Sequence, residues 1–173
     1  MSTFDAAALV LRLGVGLIFA IHGAQKAFGW WGGSGLAGWE AVMVRMGFRP
    51  ARLFAAVSVA AELGGGLALL VGLLTPLAAS LRVGPSRVII FAAHWSRGFF
   101  NRDNGYEFPL VLVSGVVAVL LLGAGAVSID QLIGFTPAAD VRAWLLALGV
   151  LGGLATLAVP RLFPAPQQPA SGA

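Results

Sequence analysis

The chain of 173 residues contains no cysteine and very little charge. Without cysteine it cannot hold a thiol redox centre, a cysteine-ligated iron–sulfur cluster or a disulfide framework. Charged residues make up 10% of the sequence, against roughly 25% in a soluble domain, and 58% of the residues are hydrophobic. These proportions indicate an integral membrane protein with room for four or five membrane-spanning helices.

The scarcity of acidic residues makes the chain basic, with a net charge of +4 at pH 7. Its eleven Lys and Arg residues are scattered at predicted helix ends and in loops and form no basic stripe. We therefore expect the partner of these charges to be membrane lipid and not nucleic acid. We identify no flavin motif, no dinucleotide-binding fingerprint and no cluster of metal ligands, so electrons for any redox reaction would come from a partner.

The apolar segments predict an all-α fold, a four-helix membrane bundle with a fifth apolar helix near the C-terminal end. The spans of the bundle are predicted at residues 6–28, 51–74, 77–95 and 108–122, and the fifth helix at 141–159. Residues 36–48 mix apolar and charged side chains and predict a helix lying at the membrane interface in the first loop. Arg82, Pro85 and Arg87 interrupt the third span, which is either kinked at Pro85 with its arginines turned inward or broken there.

These segments divide the chain into three parts. Residues 1–137 form the four-helix membrane domain, residues 138–160 hold the additional apolar helix, and residues 161–173 form a tail. Prolines and glutamines in the tail predict that it is disordered.

Glu62 lies in the middle of the apolar run from Ala51 to Leu73. A carboxylate near the centre of a membrane helix costs at least a few kcal/mol, so it should face protein or trapped water and have a partner. Arg87 in the third span is predicted to lie at nearly the same depth. We therefore predict a buried Glu62–Arg87 ion pair, which serves either a substrate or proton site or only the structure.

Further polar residues converge on the same half of the bundle, because successive spans alternate in direction. They are His22 and Lys26 in the first span, His94 at the end of the third and Glu107 at the start of the fourth. Each also has a structural alternative: hydrogen-bonded packing for the histidines, contact with lipid headgroups for Lys26 and a helix N-terminal charge for Glu107. The two histidines would also suit a haem. Arg82 is expected to extend only to the headgroups.

Several short motifs follow one another in a fixed order along the chain. They are Arg12-Leu13-Gly14, His22-Gly23-Ala24-Gln25-Lys26, Glu62-Leu63-Gly64-Gly65-Gly66, Gly72-Leu73-Leu74-Thr75, His94, Gly98-Phe99-Phe100-Asn101, Gly105-Tyr106-Glu107-Phe108-Pro109-Leu110, Gly123-Ala124-Gly125 and Ser128-Ile129-Asp130. In these motifs the chain resembles the DoxX family of small bacterial membrane proteins, over about residues 8–132. The third span and the fifth apolar segment depart from the usual family pattern.

The resemblance implies a four-helix bundle in the plasma membrane of a bacterium. It also implies a link to respiratory chemistry, because the family takes its name from a subunit of an archaeal quinone-reducing complex and its members are commonly labelled oxidoreductases. The polar positions that match the family are His22, Lys26, Glu62, His94 and Glu107.

Three functions follow as alternatives. The first is a redox-linked subunit that binds a quinone, with His22 or His94 as the hydrogen-bond donor and Glu62 as a proton relay. The residues expected to bind the quinone are Lys26, Arg87, Gly65, Gly66 and Glu107, with the ring in a cleft beside the two glycines. We predict this first function. We expect the chain to be inactive alone and to act with a redox partner subunit or with a second copy of itself.

The second function is transport of a small solute or proton, with a Glu62–Arg87 pair as the gate and a broken third helix around the path. It would require an oligomer, because the chain has no visible internal repeat. The third is a non-catalytic assembly subunit in which the polar residues fix the register of the helices.

Overall fold

The computed structural model describes residues 1–162, without the side chains of residues 86–89, 92, 93 and 161. Within these residues the fold is all-helical and contains no strand, which confirms the predicted class. The helices are α1 (Thr3–Phe28), α2 (Gly35–Arg45), α3 (Ala51–Val71), α4 (Thr75–Ile89), α5 (Glu107–Leu122), α6 (Ile129–Leu132) and α7 (Ala139–Leu162). The greater part of the predicted disordered tail, from residue 163 onward, lies outside the described residues.

Three of these helices are long and apolar enough to cross a membrane: Thr3–Phe28, Ala51–Val71 and Ala139–Pro160. Helix α5 is shorter but also apolar. Helix α4 continues as a π-helical segment, Ile90–His94, which extends the third predicted span as far as His94. The helix predicted in the first loop is α2, which packs against α1 and α3.

The close packing of α1 on α3 depends on glycine. A Cβ atom on Gly66 of α3 would lie 2.9 Å from the carbonyl oxygen of Gly16 in α1, and a Cβ on Gly16 would lie 2.9 Å from the backbone nitrogen of Leu70. The two backbones therefore touch, as they do where small residues line a contact between membrane helices. This contact fixes the depth of α1 relative to α3 and so aligns the polar residues that the two helices carry.

Helix α4 runs without interruption through Pro85. Of the two alternatives for the third span, a break at Pro85 is therefore wrong for this chain. Arg82 is turned inward, with 1% of its surface exposed, so the expectation that it only reaches the headgroups is also wrong. The irregular part of the span comes after Pro85, in the π-helical segment that ends at His94.

Helix α7 is packed into the bundle. Gly84 of α4 meets Gly149 and Gly153 of α7 so closely that a Cβ on Gly84 would lie 3.0 Å from backbone atoms of both. The hydroxyl of Ser80 in α4 donates a hydrogen bond of 2.6 Å to the carbonyl oxygen of Leu145 in α7. The fifth apolar helix is therefore a neighbour of α4 on the outside of the four-helix core.

A pair of glycine substitutions tests the α1–α3 contact. Gly66→Ala should lower the free energy of unfolding by about 1–3 kcal/mol, because its methyl group enters the space of the α1 backbone. Gly64→Ala is the matched control, since a Cβ at Gly64 meets nothing within 4 Å. The measurement is thermal unfolding in mild detergent, followed by tryptophan fluorescence. Equal midpoints for the two variants would contradict the described contact.

Candidate functional site

A cavity of about 560 Å³ lies between α1, α2, α3, α4 and the start of α5. This volume is within the range of roughly 300–1,000 Å³ that is usual for small-molecule sites. Its walls are largely apolar and include Phe19, Val42, Met43, Met46, Phe48, Phe54, Phe108 and Leu112. Its charged or ionisable lining residues are His22, Lys26, Glu62, Arg82 and His94. Four of the predicted site residues therefore line one cavity, together with Arg82.

Glu62 is shared between two cations on different helices. The Lys26 ammonium lies 2.5 Å from one carboxylate oxygen of Glu62, and the Arg82 guanidinium lies 3.8 Å from the other. The side chains of Glu62 and Arg82 are 5% and 1% exposed, whereas that of Lys26 is 16% exposed. This three-residue cluster, Lys26–Glu62–Arg82, joins α1, α3 and α4. The side chain of Arg87 lies outside the described residues, so the predicted Glu62–Arg87 pair stays a prediction.

Aromatic rings hold the two cations in place. The Arg82 guanidinium lies 4.2 Å from the centre of the Phe19 ring, and the Lys26 ammonium lies 4.2 Å from the centre of the Trp39 ring. The indole nitrogen of Trp39 donates a hydrogen bond of 3.2 Å to the hydroxyl of Ser58 in α3. Such cation–π contacts strengthen when water is excluded, so α2 helps to keep Lys26 directed into the bundle and not toward the headgroups.

Both histidines use the same ring nitrogen to contact the backbone. Nδ1 of His22 lies 2.9 Å from the carbonyl oxygen of Ile18, and Nδ1 of His94 lies 2.6 Å from that of Asn104. A carbonyl oxygen only accepts hydrogen bonds, so Nδ1 carries a proton in each ring. A neutral ring then has an unprotonated Nε2, which accepts a hydrogen bond or a proton. The π-helical segment, a feature frequent at functional sites, carries His94 to this position.

Three other predicted site residues, Glu107, Gly65 and Gly66, do not line the cavity. Glu107 is the first residue of α5, the position that the structural alternative gives it, and its carboxylate accepts a hydrogen bond of 2.9 Å from the backbone N–H of Asn101. The space beside Gly65 is taken by the side chain of Arg82, since a Cβ there would lie 3.3 Å from Cδ of Arg82. Gly66 is covered by α1. The expected cleft beside these two glycines is therefore filled, and the α3 residues that line the open cavity, such as Ser58 and Glu62, precede them in the helix.

A second polar cluster, for which no role was predicted, holds the opposite end of the bundle. Buried Arg12 donates hydrogen bonds of 3.0 and 2.6 Å to the carbonyl oxygens of Ala124 and Val127. Buried Asp130 accepts hydrogen bonds from the backbone N–H groups of Leu74 and Thr75, at 2.5 and 2.8 Å. Asp130 thus satisfies donors at the start of α4 that the helix itself leaves unpaired. Arg12 and Asp130 each belong to one of the family-like motifs of the sequence, but the spacing of the motifs does not show which partners these residues have.

A comparison with known families assigns the chain to one of them. A family model of DoxX proteins matches residues 7–95, slightly more than half of the chain. The chain belongs to the DoxX family. The match runs from within α1 to just after His94, so it includes all the charged or ionisable residues that line the cavity in the described part of the chain. No curated protein and no solved structure matches the chain.

Neither a metal site nor a dinucleotide-binding site is formed by the described residues. Among the described residues, no group of three or more His, Asp or Glu side chains is placed to hold a metal ion. The letters GxGxxG do occur at Gly33-Ser34-Gly35-Leu36-Ala37-Gly38. However, this segment enters α2 from a 3₁₀ turn, and no strand precedes it in the described chain. It therefore lacks the strand–turn–helix context of a dinucleotide-binding site.

Substitution of Asp130 tests the structural role of the second cluster. Asp130→Asn should lower the free energy of unfolding by about 1–3 kcal/mol, because its amide group cannot accept from both backbone donors. Asp103→Asn is the control, since the Asp103 side chain is 59% exposed. Both variants should retain whatever ligand binding the wild type shows, since neither residue lines the cavity. An unchanged unfolding midpoint for Asp130→Asn would contradict this role.

Proposed function

We propose that this multi-pass membrane protein binds a quinone in the cavity and serves as a subunit of a redox complex. The observation that carries the proposal is the presence of two histidines and the Lys26–Glu62–Arg82 cluster in the lining of one largely apolar cavity. An apolar pocket with a few polar groups is the usual form of a small-molecule site. Its position among apolar helices suits a ligand that reaches the protein through the lipid.

The walls suit a flat, apolar ring. Phe54 and Phe108 offer aromatic faces, and Met43 and Met46 are flexible side chains that adapt to the shape of a ligand. A quinone ring has carbonyl oxygens that need hydrogen-bond donors, and in the reduced form these become hydroxyl groups that need acceptors. The Lys26 ammonium supplies donors, and Nε2 of a neutral histidine supplies an acceptor.

The histidines give the site a way to exchange protons. Conversion of a quinone to a quinol adds two electrons and two protons, and two histidines line the cavity. An imidazolium would give the Nε2 proton to a quinone oxygen, and a neutral imidazole would take it back from a quinol hydroxyl. The electrons would pass to or from a partner subunit, because the chain has no cysteine and no flavin motif.

The non-catalytic assembly subunit is the second candidate, and one observation favours it. The Lys26–Glu62–Arg82 cluster ties three helices together, so it would fix their register even without a ligand. The transport alternative has less support, because α4 continues through Pro85 where that alternative needs a broken helix. Ligand binding separates the quinone site from the assembly role.

The first test is binding of menadione, a neutral naphthoquinone, to the protein purified in mild detergent. A quinone bound in the cavity should quench the fluorescence of Trp39 with saturable concentration dependence, because Trp39 lines the cavity. The variant Trp39→Phe should lose this saturable part. Trp144→Phe, which removes an exposed tryptophan on α7, should keep it. Quenching that rises linearly and is equal in both variants would contradict the proposal.

Substitution of His94 tests the proton acceptor. His94→Asn places an amide N–H near the position of Nδ1, so it keeps a donor for the Asn104 carbonyl but has no Nε2. It should weaken binding of menadiol, the reduced form, by up to about tenfold, the value of one hydrogen bond. Binding of menadione should change less. The measurement is isothermal titration calorimetry under argon, with His94→Gln as the control that keeps an acceptor near the position of Nε2. Equal affinities for menadiol in the wild type and His94→Asn would exclude this role.

A reduced-minus-oxidised absorbance spectrum of the purified protein identifies what it carries from the membrane. A quinone-type change in the ultraviolet would support the proposal. A Soret band would instead identify a haem held by His22 and His94 and would overturn it.

A further inference from the structure

The polar end of the cavity has more positive than negative charge. In their ionised forms Lys26 and Arg82 contribute two positive charges, and Glu62 contributes one negative charge. The chain has seven acidic residues, and all of them belong to the part that the structure describes. None of the other six lines the cavity. The cluster therefore has a formal charge of +1 beside an apolar space.

A net charge at this depth is unfavourable. Removing an ion from water costs several kcal/mol, and a single carboxylate cannot fully offset two cations. An anion placed beside the cluster would balance the charge and remove most of this cost. The structure leaves space for such an anion, because the cavity opens directly onto Lys26, Glu62 and Arg82.

Lys26 is the cation that a ligand can reach. Its side chain is 16% exposed, against 1% for that of Arg82. An ammonium group has three N–H donors. In the described part of the chain, one of them donates to Glu62 and the Trp39 ring lies against the ammonium, so a donor remains for a ligand atom in the cavity.

We propose that the cavity binds its ligand as an anion: a quinone-type ring with an acidic hydroxyl group, held as its oxyanion by Lys26 with Arg82 behind it. This inference rests on the proposed quinone site and adds the charge of the ligand. The hydroxyl proton leaves to water or to Nε2 of a neutral histidine, and the oxygen keeps the electron pair. No electron is transferred in this step. The apolar walls contact the ring, and the Lys26–Glu62–Arg82 cluster favours a ligand that carries a negative charge.

The test compares two probes that differ in charge and little else. Lawsone is a hydroxynaphthoquinone that is ionised at pH 7, and its methyl ether is neutral at every pH. Quenching of Trp39 measures the affinity of both for the full-length protein in the same detergent and salt. Lawsone should bind about tenfold more tightly than the ether, the effect expected of one charge-assisted hydrogen bond. Trp39→Phe should remove the signal for both probes, which places them in the cavity.

A matched pair of variants assigns the preference to Lys26. In Lys26→Gln the side chain still has an N–H group for Glu62 but no charge, and the two probes should bind equally. In Lys26→Arg the charge is kept, and the preference for lawsone should remain. If Lys26→Gln does not fold, Lys26→Met replaces it as the uncharged variant. The preference of the wild type for lawsone over its methyl ether is then compared with that of Lys26→Met.

The outcomes separate the two proposals. A preference for lawsone that is lost in Lys26→Gln and kept in Lys26→Arg supports the anion site. Equal binding of both probes to the wild type, or tighter binding of the ether, overturns the anion site and leaves the quinone site standing. A preference for lawsone that survives in Lys26→Gln also overturns the anion site, because a group other than Lys26 would then bind the negative charge. Absence of saturable binding for both probes and for menadione overturns both proposals.

Discussion

The contact of Glu62 with Lys26 and Arg82 is the interaction on which the arrangement of this bundle depends. Each of these side chains would be costly to bury alone in apolar surroundings, and the contacts among the three offset part of that cost. The contact requires α1, α3 and α4 to meet at one depth. Glycine at the α1–α3 contact allows the necessary closeness, and Phe19 and Trp39 restrict where the cations lie.

The two ends of the bundle differ in how completely their polar groups are used. At the end held by Arg12 and Asp130, buried side chains bind the backbone of loops and of a helix start, which stabilises the fold. At the other end, the histidines and Lys26 border a cavity and retain hydrogen-bonding capacity. The first arrangement stabilises the fold, whereas the second borders an open cavity. This contrast places the candidate site at one end of the bundle.

The helices and the convergence of His22, Lys26, Glu62 and His94 could be predicted from sequence, because apolar length and alternating direction fix the spans and their depths. The contact of Arg82 with Glu62 could not. Predicted depth placed Arg87 near the level of Glu62 and gave Arg82 no inward role, whereas the structure brings the Arg82 guanidinium to 3.8 Å from the carboxylate. Which side of α4 faces α3 depends on its packing against α5 and α7 as well, and no local pattern reveals that packing.

The same limit explains the cleft that was expected beside Gly65 and Gly66. A small residue in a membrane helix indicates close approach of something, but the sequence does not say whether a ligand or another helix approaches. Here the side chain of Arg82 and the backbone of α1 occupy those positions. The structural cluster of Arg12 and Asp130 was hidden for a related reason, since its partners are backbone groups in loops whose course depends on the whole fold.

The packing of α7 on α4 has a consequence for assembly. A bundle that ended at residue 137 would present Ser80 and Gly84 on an outer face, together with the side of the cavity where Thr156 now lies. Such a face would need a helix from a separate molecule, and its coverage would vary with the amount of protein in the membrane. Here the covering helix is part of the same chain, so its effective concentration is fixed by covalent attachment. This side of the cavity is complete in every single copy of the protein, however dilute the protein is in the bilayer.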